Sequence, residues 1–296
     1  MSYIDKLKKS TEQSGSIICM GIDPVCEYLP EIEGTVEERI TFFFKTLFYE
    51  MIKRNVLPGA FKPNLGFFAT LDRPRENVFD GSLALVKILS LLDKLFPHIP
   101  IILDYKRGDI ARSSENYARE GFVSWGCDSV TVSPWMGSDS VIPFFKEAAL
   151  HDGGVYLLNR TSNPGGKEFQ NAVLKENRQP IFKTIAEKIV EWAKEYPGTG
   201  AVVGATSLRE LEEITAYFSS SEIPLLIPGV GSQGGSASDV TRVLKKNNYT
   251  LPLVRINVSS GITHTWAKSG NKAPSNWKHL CVDNLAKFND ESGSFL

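Results

Sequence analysis

The chain has 296 residues, 42% of them hydrophobic, and 33 basic against 34 acidic side chains leave a net charge of -1. Such a composition supplies one large apolar core, while the balanced charge, with no Lys/Arg run longer than a pair, excludes the concentrated basic surface that phosphate-backbone binding needs. No stretch approaches the ~18 apolar residues of a membrane span, and the polar segment Met1 to Ser10 has no signal-peptide core, so the expectation is a cytoplasmic protein acting on a small molecule.

The first apolar, β-branched run is Ile17 to Asp23, ending Gly21-Ile22-Asp23-Pro24. Helical periodicity follows over Val36 to Lys53, where Phe42, Phe43, Phe44, Leu47 and Phe48 fit core and interface packing. A second run, Ala60 to Asn64, holds Phe61-Lys62-Pro63-Asn64, and a helix is expected over Leu83 to Phe96. The third, Ile101 to Lys106, continues into Arg107-Gly108-Asp109-Ile110 and a helix over Ser113 to Trp125. Ser129 to Ser133 and Val155 to Thr161 come next. The stretch Asn159 to Pro180, with Pro164, Gly165 and Gly166, is longer than the usual connection and reads as a functional loop or lid. Helices over Ile181 to Tyr196 and Leu208 to Phe218 flank the run Ala201 to Thr206. Leu225 to Val230 opens the turn Gly229 to Gly235, and Leu253 to Ser259 is the last run. Beyond Ile262 the residues Trp266, Trp277 and His279 belong to a closing helix.

About eight strands, most of them alternating with helices, predict an α/β fold with a parallel sheet, and that number closes a (β/α)₈ TIM-type barrel more naturally than an open sheet. No second compositional regime marks a linker, so residues 1–296 read as a single domain. In this architecture chemistry sits at the C-terminal strand ends, where the runs carry their polar tips. Cys19, Cys26, Cys127 and Cys281 are scattered without Cys-x-x-Cys spacing and read as reduced thiols, with no metal site signalled. His98, His151, His264 and His279 show no ligand spacing either and read as surface or packing residues.

The stretch from Ile101 to Ile110 is the most informative. Alternation puts Asp104 and Lys106 on one face with Ile102, and in a barrel that face points inward. Gly108 permits a turn that carries Asp109 to the mouth, where it can meet its own lysine or a neighbouring subunit. A lysine held between two carboxylates stays cationic, so Lys106 reads as an acid and not as a nucleophile. Two plainer readings stand beside this one: Asp109 as the N-cap of the next helix, and Asp104 with Lys106 as a structural ion pair. Lys62, at another strand end, favours a network, because an inward lysine needs a partner.

Asp104-Tyr105-Lys106-Arg107-Gly108-Asp109-Ile110 resembles the Asp-x-Lys-x-x-Asp-Ile signature of the orotidine 5′-phosphate decarboxylases. Further matches run in barrel order over nearly the whole chain: Gly21-Ile22-Asp23-Pro24, Phe61-Lys62-Pro63-Asn64, Val132-Ser133-Pro134 and Pro228 to Gly235. Arg160-Thr161-Ser162-Asn163-Pro164-Gly165 is similar to the longer bacterial (type 2) branch. The resemblance implies decarboxylation of orotidine 5′-monophosphate to uridine 5′-monophosphate and CO₂ in pyrimidine biosynthesis, by a homodimer that uses no metal and no organic cofactor. It implies that Lys106 donates the proton, Asp104 sits beside the substrate carboxylate, and Asp109 reaches across the dimer interface to the ribose. Lys62 and Asp23 would bind the ribose hydroxyls and Ser133 the pyrimidine edge. Gln233, with Gly231 and Gly234 in the turn Gly229 to Gly235, would hold the phosphate. Asn64, Thr161 and Ser260 complete the implied substrate-binding set.

Physical chemistry reaches similar roles. Decarboxylation leaves a carbanion at C6 with no electron sink, so a cation there stabilises the charge and then supplies the proton. At ~4 Å and an effective dielectric of ~20 one such pair is worth about 4 kcal/mol, short of the ~8 to 23 kcal/mol of enzymatic accelerations. Repulsion between Asp104 and the substrate carboxylate, and phosphate binding far from C6, are the added contributions. Gly229-Val230-Gly231-Ser232-Gln233-Gly234 also fits Gly-x-Gly-x-x-Gly, but it follows a late strand and reads as a monophosphate cup.

One departure stands out. Relatives of the longer branch end the last strand in Asn-Ser-Ser-Arg-Gly, whose arginine clamps the phosphate, whereas Asn257-Val258-Ser259-Ser260-Gly261 puts Ser260 at that place. Arg160 and Arg255 are the candidate substitutes, although Arg255, deeper on the strand, suits a structural ion pair equally well. The rival activities are a magnesium-dependent sugar-phosphate decarboxylase or aldolase of the same superfamily, a Schiff-base aldolase, and a nucleotide-binding pseudoenzyme. Chelation, borohydride trapping and the intact lysine and aspartate set, respectively, discriminate against them.

Overall fold

The computed structural model describes residues 1–231 and 233–293. Eight parallel strands, β1 (Ile18–Ile22), β2 (Ala60–Pro63), β3 (Ile102–Arg107), β4 (Ser129–Val132), β5 (Gly154–Arg160), β6 (Thr199–Val203), β7 (Leu225–Ile227) and β8 (Val254–Val258), lie in the order β2-β1-β8-β7-β6-β5-β4-β3. Parallel bridges Phe61↔Ile101 and Asn64↔Asp104 join β2 to β3 and close the ring. The strands read as continuous apolar runs because helices cover their outer face while the barrel fills its own interior.

The inner face is set by alternation. Cys19, Ala60, Ile102, Tyr156, Val202 and Leu226 form an apolar layer inside the barrel, together with Tyr3 and Leu7 from the N-terminal helix Tyr3–Ser14 and with Leu253. That helix seals the floor. Ser2 caps its start by accepting from the Asp5 N–H, and Gly15 ends it in the left-handed region. Arg255, fully buried on the inner face of β8, donates to the carbonyl oxygens of Leu7, Pro252 and Val254 and to Thr11 Oγ1. It therefore belongs to the floor and takes no part in binding at the mouth.

The outer ring follows the predicted helices closely: Val36–Arg54, Asp80–Leu95, Ile181–Glu195 and Leu208–Phe218. Thr35 and Glu38 form a capping box at the first of these, and its aromatic side is packing, with Phe48 against Phe61 (5.5 Å) and Phe96 (5.6 Å). The helix expected over Ser113 to Trp125 is an α-helix at Ala111–Arg119 that widens into a π-turn at Glu120–Ser124. Helices Ser138–Leu150 and Ala237–Lys246 escape the periodicity reading. The first carries Pro143 at its sixth position, past the first turn, so the hydrogen bond an N–H there would give to the Asp139 carbonyl is forgone. The closing helix is Trp277–Ser292. The long segment after β5 holds a short helix, Gly166–Gln170, and a bridge between Val173 and Pro180.

Candidate active site

β3 delivers the central group. Its pairing with β4 shifts register between Leu103 and Arg107, and Lys106 takes a left-handed backbone (φ 45°). Thr131 Oγ1 on β4 accepts from the Tyr105 and Lys106 N–H groups (3.2 and 3.0 Å) where the ladder is interrupted. Bulges of this kind re-aim side chains, and the left-handed lysine costs about 1 kcal/mol or more that the surroundings must offset. On the outer face Arg107 pairs with Glu120 through two hydrogen bonds and lies over the Tyr105 and Tyr117 rings, which ties the strand end to the following helix.

Asp104 is saturated with donors. Its Oδ2 accepts from Lys62 Nζ (2.7 Å), and its Oδ1 accepts from Lys106 Nζ (2.5 Å) and Thr131 Oγ1 (3.0 Å). Burial works to raise its pKa, but the two ammonium groups outweigh burial and hold the carboxyl well below the usual carboxylate range. Burial likewise works to lower Lys62, and the Asp104 and Asp23 carboxylates overcome it, so Lys62 is held above the ordinary lysine value. The Lys62 and Asp104 side chains are 5% and 9% exposed against 47% for Lys106, so Lys106 is the half that a ligand can reach.

A cavity of about 520 Å³ opens over this row at the C-terminal strand ends. Asp23, Asn64, Thr161, Gln233 and Ser260 all contribute to its wall with Lys62, Asp104 and Lys106. Asn64 also caps the helix Leu65–Ala69 by accepting from the Gly66 N–H (3.0 Å). Gly21, on the inner face of β1, leaves room for Ser259, whose Oγ would lie 1.8 Å from a Cβ there. Four expected residues stand outside the wall. Asp109 is half-buried beyond the strand, its carboxylate, among the described residues, accepting only from the Ile110 N–H (2.8 Å). Ser133 is half-buried, with Cβ 3.2 Å from the position a Gly108 Cβ would take. Gly231 (φ 85°) turns the chain beside Phe288, and Gly234 (φ 90°) stands in open space; Gly229 and Val230 of the same turn do line the cavity.

Neither candidate arginine reaches the cavity wall. Arg160 is 4% exposed and paired with Glu210 (2.8 Å), while Arg255 lies in the floor. Sequence reasoning missed Thr131, Tyr28, Ser162, Asn163, Asn257 and His264 in the cavity wall. Thr131 carries a legible signal, since it shares the inward parity of Ser133.

His264 follows β8 and is buried, stacked on Phe43 (5.6 Å) with Tyr28 and Trp266 around it. Burial lowers its pKa from the ordinary value to about 4. The unfolded chain therefore binds a proton that the folded chain refuses between the two values. The stability this group confers is complete above pH ~6.5 and is lost as pH falls towards 4. We expect the wild type to lose about 2–3 kcal/mol more than His264→Phe between pH 7 and 4.5. Urea midpoints at the two pH values check this, and parallel losses would refute it.

Among the described residues no group of three His, Cys, Asp or Glu side chains stands together as metal ligands, and no described helix is long and apolar enough to cross a membrane. Residues 59–268 match the model of the orotidine 5′-phosphate decarboxylase / HUMPS family. An orotidine 5′-phosphate decarboxylase of Janthinobacterium sp. (strain Marseille) is 36% identical over 252 residues, covering 84% of this chain and 86% of that protein. One from Verminephrobacter eiseniae is 35% identical over 273 residues, covering 91% and 92%. Among solved structures, Leishmania donovani OMP decarboxylase superposes with a TM-score of 0.73 at 24% identity over 99% of both chains, which speaks for the fold alone. Leishmania donovani UMP synthase gives 0.74 at 26% identity, with 99% of this chain spanning 57% of that one. With a barrel of the same architecture and a family match over most of its length, this chain belongs to the orotidine 5′-phosphate decarboxylase / HUMPS family.

Proposed function

We propose that this chain, acting as one barrel domain over residues 1–296, decarboxylates orotidine 5′-monophosphate to uridine 5′-monophosphate and CO₂. The observation that carries the reading is the alternating row Lys62–Asp104–Lys106 on the wall of one cavity, with its outer ammonium accessible and its carboxylate locked in the charged state. The substrate carboxylate sits against Asp104, and this repulsion is relieved as the C6–carboxyl bond breaks and CO₂ leaves. The electron pair remains on C6 beside Lys106, which stabilises it and then transfers a proton to it. Lys62 and Asp23 take the ribose hydroxyls, and Gln233 with the turn Gly229 to Gly235 holds the phosphate; Asn64, Thr161 and Ser260 supply neutral hydrogen-bonding groups.

The test follows the absorbance change of orotidine 5′-monophosphate with purified enzyme and a chelator. Turnover that persists in the chelator supports a metal-free lyase; turnover that disappears supports the magnesium-dependent relative instead.

A homodimer completes the site. Asp109 stands beyond its own cavity with a carboxylate that, among the described residues, meets only a neighbouring N–H; Ile110 next to it leaves apolar surface exposed, as do Trp135 and Met136 after β4. In the dimer Asp109 enters the partner subunit's cavity. Asp109→Ala and Lys106→Ala would each be nearly inactive alone, and mixing them would form heterodimers with one intact site. Equal mixtures should recover about a quarter of wild-type activity by random pairing. Absence of any recovery on mixing and refolding would end the shared-site reading.

A further inference from the structure

Thr161, Ser162 and Asn163, the segment that leaves β5, stand on the cavity wall. The segment is wedged against the ends of β6 and β7. Thr206 Oγ1 donates to the Ser162 carbonyl oxygen (2.9 Å), a Cβ on Gly204 would lie 2.7 Å from Ser162 Cα, and one on Gly229 would lie 3.0 Å from Ser162 Cβ. Gly229 opens the turn that carries Gln233, so the place of Ser162 also sets where that turn rests.

A polar clasp grips the same segment from behind. A turn closed by the Gly166 N–H on the Asn163 carbonyl oxygen (3.1 Å), with Pro164 at its second position, folds the short helix Gly166–Gln170 back onto Thr161. The Gln170 amide brackets that residue: Oε1 accepts from the Thr161 N–H and Nε2 donates to Thr161 Oγ1, both at 2.9 Å. Because a backbone N–H can only donate, it fixes which way round the amide stands. Arg160 Nη1 donates to the Thr161 carbonyl oxygen (2.5 Å) and to Gln170 Oε1 (3.3 Å). Arg160 is held in turn by Glu210 of the helix Leu208–Phe218, and Glu210 also accepts from Asn171 Nδ2 (2.7 Å), just past the short helix. A Cβ on Gly166 would lie 2.8 Å from Arg160 Nη1, 2.9 Å from Thr161 Oγ1 and 3.0 Å from Gln170 Oε1, so a side chain there would push the clasp apart.

We propose that Gln170, backed by the Arg160–Glu210 pair, is a positioning residue for the reaction: it holds the wall segment Thr161 to Asn163 in the arrangement that completes the nucleotide cavity. The inference rests on the nucleotide reading above. A buried ion pair adds little net stability, because desolvation offsets its attraction; what this one delivers is the geometry of a three-residue stretch of wall. Arg160 thereby acts on the substrate at one remove, through Thr161, and not as a cation at the phosphate.

Steady-state decarboxylation and calorimetric binding of uridine 5′-monophosphate, beside urea unfolding, test it in wild type, Gln170→Leu, Gln170→Glu and Gly166→Ala. Leucine removes both amide contacts, glutamate keeps an acceptor for the Thr161 N–H, and Gly166→Ala opens the clasp without removing a polar group. Two neutral hydrogen bonds change the population of the docked segment by roughly tenfold or more. We therefore expect Gln170→Leu and Gly166→Ala to lower both kcat/KM and nucleotide affinity by about tenfold, and Gln170→Glu to recover most of the loss. Asn289→Ala controls for lost stability, since it cuts two contacts, to Ser16 and Leu57, at the opposite end of the barrel; both quantities should stay at the wild-type level in it. Wild-type kcat/KM and affinity in Gln170→Leu, whatever its urea midpoint, overturn the inference alone, and so does a Gln170→Glu as impaired as the leucine variant. Should Gln170→Leu fail to fold, unchanged values in Gly166→Ala overturn it equally. A wild type that neither turns over orotidine 5′-monophosphate nor binds uridine 5′-monophosphate overturns the functional reading with it.

Discussion

Replacing Lys106 with alanine is expected to lower turnover of orotidine 5′-monophosphate by about 10⁴-fold or more while leaving the fold intact. The size follows from two losses at one atom. A positioned proton donor is worth roughly 10² to 10⁴, and a preorganised charge at the developing carbanion about 10² to 10³. The stability cost should be small, about 1 kcal/mol. Lys106 is half-exposed, so its ion pair is screened, and Asp104 keeps Lys62 and Thr131 as donors when Lys106 is gone. Steady-state rates beside urea unfolding separate the two quantities. A variant within tenfold of wild type would remove Lys106 from the chemistry.

Lys62→Met should do the reverse, costing stability first. Lys62 and Asp104 are both buried and bonded at 2.7 Å, so the variant leaves a carboxylate in the barrel with only the half-exposed Lys106 to balance it. Breaking a buried pair from one side costs about 3–5 kcal/mol. Removing both charges in Lys62→Met with Asp104→Leu should recover much of that loss, because the uncompensated charge has gone. The double-mutant cycle in urea reads the coupling directly. A single-variant loss under about 1 kcal/mol would mean that Lys62 contributes little to the network. Activity falls in the single variant as well, since Asp104 then draws Lys106 alone.

Much of this site was legible because a barrel converts sequence parity into geometry. Asp104 with Lys106, Lys62 with Asn64, and Asp23 were all expected at inward strand ends, and the cavity gathers them. The same parity places Arg255 inside with Asn257, and depth along the strand, which the sequence also contains, puts it in the floor. Thr131 and Asn257 sit on strands; the rest of what escaped, Tyr28, Ser162, Asn163 and His264, comes from segments after the strands. His264 returns to the cavity through a four-residue helix, Ser260–Thr263, and is held by Phe43, more than two hundred positions earlier. No local pattern encodes that meeting. The N-terminal helix was missed for a related reason: its buried face is only Tyr3, Leu7, Ser10 and Thr11, too polar to show a stripe. In the turn after β7, Pro228 lacks a ladder donor and Gly229 adopts a positive φ, so the strand stops at Ile227, before the run that suggested it ends.

The buried guanidinium of Arg255 joins the first helix of the chain to the last strand through Leu7 and Thr11. During synthesis those two pieces are separated by nearly the entire polypeptide, so the base of the barrel closes only after β8 has been made. Joining them closes a loop of nearly the whole chain, whose entropic cost grows only slowly with its length.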